Sequence, residues 1–545
     1  MAINFKETSF LIVDDQRAFQ LMLKALLVNL GARDISLASS GEAAVGKSRR
    51  RPFDIVLIDY NLGNRKKNGR QLLEELKEKN FISAHTVTII ITGESHRPMV
   101  LGAIELQPDD YLMKPFSLNV LRQRMERAYI KRNSLLLLHQ YMKKAQYQAA
   151  IPICKQLILD FPKYTNYCQN ILAELYFKTE QYNKAEQLVT ASLKQQTSSW
   201  AQVHLARIYL AQKKYRQAVQ VAQTVIKISP LIIDSYDIMT DALIALDEPA
   251  RSLEMAIKAS ELSPYSVKRQ QKLVAIAQQN ELYEIACETN RFILEMTRHS
   301  VQQDIQHSFN YIRSVINAAE QAVEKHEQNK YMQEASLALQ RARNDDTHNS
   351  EQFNAFERLC RIRLEAIHGN LNTSKQKIYQ FLQHEKENQQ NFVEFIFEKS
   401  TIMNRIGEFE QADAIIKAAQ NNGEDLDPQI NLSLQLYNRQ YQDKASRFNQ
   451  LNLKGIQAYN EKKYADSVHA FEQALTVAPY NTGCMLNLIL ACLKQAHERE
   501  KMAADTKYKL TTFFKNLAKI PLPAKQQKRY QDLSHEFSKW ANLSA

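Results

Sequence analysis

The sequence predicts a doubly wound α/β domain at the N-terminus, followed by a longer all-α region of helical repeats. Three observations carry this expectation. In residues 1–125, apolar runs of strand length alternate with amphipathic stretches of helical length, the pattern of parallel βαβ units. Glycine and proline are scarce, at 12 and 13 of 545 residues, which leaves too few turn residues for many short strands. Beyond the first domain, an aromatic residue followed three positions later by a small one recurs at a nearly constant period.

The first domain reads element by element. "SFLIVDD" is a β-branched run that ends in Asp14 and Asp15, and "RAFQLMLKALLVNLG" is the amphipathic helix after it. "FDIVLIDY" is the next buried strand and carries Asp59; "NGRQLLEELKEK" is again helical. "TVTIIITG" ends in Thr92 and "DDYLMKP" in Lys114. In open parallel sheets, function gathers beyond the carboxyl ends of the strands, so Asp14, Asp15, Asp59, Thr92 and Lys114 are expected to converge. Three adjacent carboxylates repel unless a counter-charge sits among them. A hard divalent cation such as Mg²⁺ answers that need, and it leaves room for phosphate oxygens. Lys114 adds a point charge and Thr92 a hydroxyl, which makes a cradle for a phosphoryl group on Asp59, the residue ending the middle strand. Taken singly, these residues are helix caps and turn formers; their ordered recurrence at strand ends favours one shared site.

The motifs "VDD" at 13–15, "IDYN" at 58–61, "ITGE" at 91–94 and "YLMKPF" at 111–116 resemble those of receiver domains of two-component response regulators, over about residues 6–128. The resemblance implies the CheY-like, flavodoxin-like fold. It implies that Asp59 accepts a phosphoryl group from the phosphohistidine of a histidine kinase or a histidine phosphotransfer protein. It further implies that Asp15, Asp59 and the backbone carbonyl of Asn61 contact Mg²⁺, with Asp14 assisting through water. Thr92 and Lys114 would bind the phosphoryl oxygens, and Tyr111 stands at the position of the family's aromatic switch. Asn61 and Glu94 occupy positions that influence acyl-phosphate hydrolysis, which suggests a short-lived signal. The loop "NLGNRKKNGR" departs from the family in length and basicity; it is either solvated or uses Arg65, Lys66 and Lys67 to dock an acidic face of the phosphodonor.

No glycine or proline occurs from Leu118 to Ala145, so one helix is expected to run from the receiver into the next region. There, Tyr147 with Ala150, Tyr182 with Ala185, Tyr215 with Ala218, Pro249 with Ser252 and Tyr283 with Ala286 follow at steps of 35, 33, 34 and 34 residues. A small residue in the second helix of a hairpin lets the two helices approach, and the proline at Pro162, Pro230 or Pro264 ends that helix. Period and pattern resemble the tetratricopeptide repeat (TPR). The divisions expected are a receiver at 1–128, repeats at 129–298, degenerate hairpins at 299–385, repeats at 386–500 and capping helices at 501–545. The best single unit is "LKGIQAYNEKKYADSVHAFEQALTVAPY", with Gly455, Tyr464, Phe471 and Ala474; another carries Gly407, Phe409 and Ala412. Such arrays stack into a superhelix that binds proteins on its concave face. Tyr167, Asn170, Glu174, Phe177, Trp200 and Arg207 are the expected groove residues, although the aromatic ones could equally pack between neighbouring units.

Composition narrows the function. Apolar residues at 44% and charged residues at 24% are ordinary for a globular protein. Six scattered cysteines match no metal-binding spacing and suit a reducing compartment, so the cytoplasm is the expected location. No secretory leader and no membrane-length apolar run is apparent. Nor does residues 130–545 hold a DNA-reading helix-turn-helix, a metal-binding histidine pair, a phosphate-cradling glycine loop or a nucleophile motif, so no separate enzyme is expected. The expected function is a response regulator of a phosphorelay whose phosphorylation alters binding of a protein partner, the kinase included, to the repeats. The net charge of +12 supports one alternative, a basic nucleic-acid-binding superhelix under receiver control.

Overall fold

The computed structural model describes residues 3–63, 67–93, 97–195, 198–344, 351–388, 393–421, 427–520 and 522–542. The chain divides into two compact units, Met1–His307 and Ser308–Ala545.

The first unit opens with β1 (Ser9–Val13), α1 (Arg17–Asn29), β2 (Asp34–Ala38), α2 (Gly41–Arg50), β3 (Ile55–Asp59), α3 (Gly69–Glu78), β4 (Val87–Thr92), α4 (Arg97–Glu105), β5 (Asp110–Met113) and α5 (Leu118–Ser134). The strands form one parallel sheet in the order β2-β1-β3-β4-β5. Alternate strand residues serve opposite faces, as the two-residue period of a strand requires. Phe10, Ile12, Leu57 and Ile89 share a core with Leu23 and Leu27 of α1 and Leu121 and Met125 of α5. Leu11, Val56, Ile58 and Ile90 pack on Leu72, Leu73 and Leu76 of α3 and Ala103 of α4. Side-chain caps fix helix entries: Ser40 accepts from the Ala43 amide, and Asn68 and Gln71 form a reciprocal capping box at α3.

The stretch from Leu118 is two helices rather than one. It breaks at Leu135, and α6 (Leu136–Lys143) follows. At the break, Leu135 and Leu138 are fully buried in the core of the first hairpin. Toward the sheet domain, Arg132 donates to the Thr86 carbonyl (3.1 Å) and Lys143 to the Ile82 carbonyl (2.6 Å).

Five hairpins complete the unit: α6 with α7 (Tyr147–Asp160), α8 (Thr165–Lys178) with α9 (Tyr182–Gln195), α10 (Ser199–Ala211) with α11 (Tyr215–Ile228), α12 (Ile233–Ala245) with α13 (Pro249–Leu262), and α14 (Val267–Gln279) with α15 (Tyr283–Thr297). Every anchor residue read from the sequence is the first residue of a second helix. The small partners Ala150, Ala185, Ala218, Ser252 and Ala286 are all buried. One turn is repeated throughout: Ala145, Glu180, Lys213, Asp247 and Glu281, each two residues before an anchor, have positive φ. The next amide then donates to the carbonyl five residues back, as in Gln146 to Tyr141 (3.0 Å) and Gln181 to Tyr176 (2.8 Å), which closes the preceding helix.

The second unit begins within α16 (Ile305–Gln321) and contains α17 (Lys325–Arg343), α18 (Glu351–Ile367), α19 (Leu371–Glu387), α20 (Ile396–Arg405), α21 (Phe409–Asn421), α22 (Pro428–Asn460), α23 (Tyr464–Val477), α24 (Thr482–Glu498), α25 (Ala504–Leu517) and α26 (Ala524–Asn542). The positive-φ turn recurs at Gly407 and Lys462, and also at Gly369, where no repeat register is visible in the sequence. There Leu371 begins the second helix and Ser374, three residues on, is fully buried. Arg363, Glu320, Arg405 and the Tyr437 hydroxyl form a buried charged cluster that pins α18, α16, α20 and α22 together. None of the described helices is long and apolar enough to cross a membrane.

Candidate functional site

The polar strand ends meet at the switch in strand order between β1 and β3, where a crevice is expected in sheets of this kind. Carboxylate oxygens of Asp14, Asp15 and Asp59 lie within 4.8 Å of one another. Asp14 and Asp59 are buried and Asp15 is exposed. The Lys114 ammonium stands 3.0 Å from Asp14 Oδ2 and 3.0 Å from Asp59 Oδ2. A cis peptide joins Lys114 to Pro115, and the Lys114 amide donates to the Thr92 carbonyl (2.8 Å). Thr92 is buried at the end of β4 beside this strand.

Burial pushes the Asp59 carboxyl up to about 6; Lys114 opposes the shift and the neighbouring Asp14 adds to it. A hard cation suits such a donor set: three carboxylates, two of them buried, with Lys114 ion-paired to Asp14 and Asp59. Asn61 follows two residues after Asp59, and its side chain accepts from the Gly63 amide (3.2 Å).

Several positioning residues were not singled out from sequence. The Gln20 amide, buried under α1, donates to the carbonyls of Asp14 (2.5 Å) and Ala38 (2.9 Å), and so fixes the carboxyl end of β1. A lone glutamine on the apolar face of that helix is the signal that could have revealed it. The Phe19 ring lies 3.7 Å below the Lys114 ammonium. Gly69 packs on the backbone of Asp59.

Of Arg65, Lys66 and Lys67, expected to be solvated or to dock a phosphodonor, Lys67 is the one among the described residues, and it does neither. Lys67 is buried and ion-paired with Glu75, so it is unavailable to a docking partner. Its methylenes lie against Gly41. Arg65, Lys66 and Glu94 lie outside the described residues.

Tyr111 is half-buried against the core on the α3 and α4 side. The hydroxyl of Tyr60, next to Asp59, is pushed up by burial first and then by Tyr265 of the array, with Tyr111 adding to the effect.

The six expected groove residues lie on α8 and α10, all half-buried. Asn170 bonds His204 (2.7 Å), and Glu174 pairs with Arg207 (2.6 Å), which also faces Asp234 (3.5 Å). Phe177 meets Tyr182 edge-on, and Trp200 meets His204 edge-on. Tyr167 lies under Lys131 of α5, ring to ammonium 3.5 Å. Asn170–His204 and Glu174–Arg207 thus join neighbouring hairpins, Phe177–Tyr182 lies within one hairpin, Trp200–His204 within α10, and Tyr167 meets α5.

The sequence model of the response regulator receiver domain matches residues 10–126. These residues form a CheY-like receiver domain. A long all-helical region follows it. The chemotaxis protein CheY-3 of Vibrio cholerae is 27% identical over 128 residues, which are 24% of this chain and 96% of that protein. The chemotaxis protein CheY of Pseudomonas aeruginosa is 27% identical over 123 residues, 23% of this chain and 97% of that protein. Among solved structures, the CheY-like receiver protein of Methanospirillum hungatei JF-1 is 22% identical, with a TM-score of 0.21, covering 23% of this chain and 96% of that one. The receiver domain of the Francisella response regulator 1452 is 25% identical, with a TM-score of 0.21, covering 23% and 98%.

Proposed function

We propose that this chain is a phosphorylation-dependent response regulator. Its receiver accepts a phosphoryl group on Asp59 from a histidine kinase or a phosphotransfer protein, and its helical region is a TPR-type array that answers by changing its hold on a protein partner. The observation that carries this reading is the Lys114 ammonium held 3.0 Å from both Asp14 and Asp59 in a cluster of three carboxylates.

In the transfer, an Asp59 carboxylate oxygen attacks phosphorus, the phosphorus–nitrogen bond to the donor imidazole breaks, and its electron pair stays with the imidazole. Asp15, Asp59 and the Asn61 carbonyl, with Asp14 assisting, would hold Mg²⁺, which would supply positive charge to the phosphoryl oxygens. Lys114, held against Asp14 and Asp59, offers a positive charge to the phosphoryl group, and Thr92 a hydroxyl donor. The recurrent anchor and small-residue pairs, with one positive-φ turn per hairpin, support the repeat assignment.

The test is direct. Full-length protein is incubated with Mg²⁺ and acetyl phosphate, and intact mass is recorded for wild type, Asp59→Asn and Lys114→Ala. Wild type is expected to gain one phosphoryl group, which maps to Asp59. Asp59→Asn is expected to gain none, and Lys114→Ala to gain some. A phosphoryl group of equal yield in Asp59→Asn overturns the reading.

A further inference from the structure

The receiver's α4 and the array meet at a site built for a carboxylate. Both oxygens of Glu105, the last residue of α4, are held by the array: Oε1 by Arg269 Nη2 (2.7 Å), Oε2 by the Ser263 hydroxyl. Arg269 is fixed without Glu105, because Asp237 accepts from its Nε (3.0 Å) and Nη2 (2.8 Å) and the Ser263 carbonyl from Nη1 (2.9 Å). Arg269 is only 8% exposed. One turn earlier on the same face of α4, Gly102 lies against Tyr265, whose ring would be 2.9 Å from a Cβ there. Arg70 completes the seat, with its Nε donating to the Gly102 carbonyl (3.3 Å) and its guanidinium over the Tyr265 ring.

For α4 itself, a carboxylate in the final turn is unfavourable, because it meets the negative end of the helix dipole. Glu105 is explained by what it touches on the array rather than by its own helix. The array residues form a prearranged two-point clamp beside an aromatic plate.

We propose that Ser263, Tyr265 and Arg269 are a recognition site for the last turn of a partner helix bearing a carboxylate three residues after a glycine or other small residue. The receiver, through Gly102 and Glu105, occupies this site as an internal ligand. The proposal rests on the reading of the array as a partner-binding scaffold. It commits to a protein helix because a helix end is what the clamp holds, at the spacing of one turn. An internal ligand competes at high effective concentration, so an outside helix binds weakly until α4 is displaced.

The experiment uses the full-length chain and a fluorescent peptide of residues 98–107, PMVLGAIELQ, held helical by a hydrocarbon staple replacing Val100 and Ile104, which lie off the Gly102 and Glu105 face, and read by anisotropy. Glu105→Gln, which removes the internal carboxylate, is expected to bind the peptide at least about tenfold more tightly than wild type. Arg269→Gln added to Glu105→Gln is expected to abolish that gain. A peptide carrying glutamine in place of its glutamate tests the same contact on unaltered array residues, and is expected to bind at least about tenfold more weakly to the Glu105→Gln chain. Equal affinity of wild type and Glu105→Gln, or equal affinity of the two peptides, overturns the proposal. No phosphodonor is present, so either outcome is independent of whether Asp59 is phosphorylated.

Discussion

Gly69 lies against the carbonyl of Asp59: a Cβ at position 69 would stand 2.1 Å from the Asp59 carbonyl oxygen and 2.9 Å from the Tyr60 Cα. Both neighbours are backbone, so neither can turn aside as a side chain could. Gly69→Ala is expected to destabilise the first unit by about 1–3 kcal/mol through overpacking and to displace Asp59 from Lys114. Thermal unfolding and acetyl-phosphate labelling should both fall in this variant. Unchanged labelling would show that the contact does not position Asp59.

Asp59 gives a pH dependence of stability with a definite sign. Its carboxyl is raised from the usual 3.8 to about 6 by burial, so between these values the folded chain keeps a proton that the unfolded chain has lost. Stability therefore declines as pH rises through this window, by at most about 3 kcal/mol. Asp59→Asn keeps the neutral shape and removes the penalty. Urea unfolding should find the variant more stable than wild type above pH 6 and no different near the ordinary carboxyl pKa, both without Mg²⁺.

His204 works in the opposite direction. Burial first, then the nearby Arg207, lowers its imidazole from 6.5 to about 4. The unfolded chain takes up this proton first, so the stability is present above 6.5 and is lost as pH falls through about 4, by about 3 kcal/mol. Replacing the ring with an uncharged amide, His204→Gln, should flatten the acid limb of the denaturation midpoint against pH while leaving the midpoint above pH 7 within about 1 kcal/mol.

In the second unit, a Cβ at Gly455 would meet the Phe471 ring at 2.5 Å. Here the obstacle is a side chain, and the prediction is a coupled one. Gly455→Ala should cost about 1–3 kcal/mol alone and much less in a Phe471→Leu background, since the two residues share one space. Additive costs in a double-mutant cycle would contradict the contact.

Much of this architecture is legible in the chain. β1, β3 and β4 announce themselves as apolar runs because both of their faces are buried. β2, "DISLA", was missed because it is an edge strand whose residues are mostly half-exposed, so it carries no continuous apolar signal. The hairpins were visible where a tyrosine marks the second helix. The hairpin turning at Gly369 was hidden because Leu371 and Ser374 stand where other units have an aromatic residue and an alanine. The loop lysine Lys67 could not be told from a solvated one, because its partner Glu75 is a turn and more away on another element.

By itself the sequence determined the strand-end chemistry and the helical period, since both depend on residues close together in the chain: a strand ends where its polar residues begin, and a hairpin closes where a small residue admits its neighbour. Tertiary structure alone decided that the receiver's α4 lies on the fourth and fifth hairpins, with Glu105 held by Ser263 and Arg269. Those partners are more than 150 positions apart, |i−j| being 158 and 164, and no local pattern encodes which of many carboxylates a given arginine will meet.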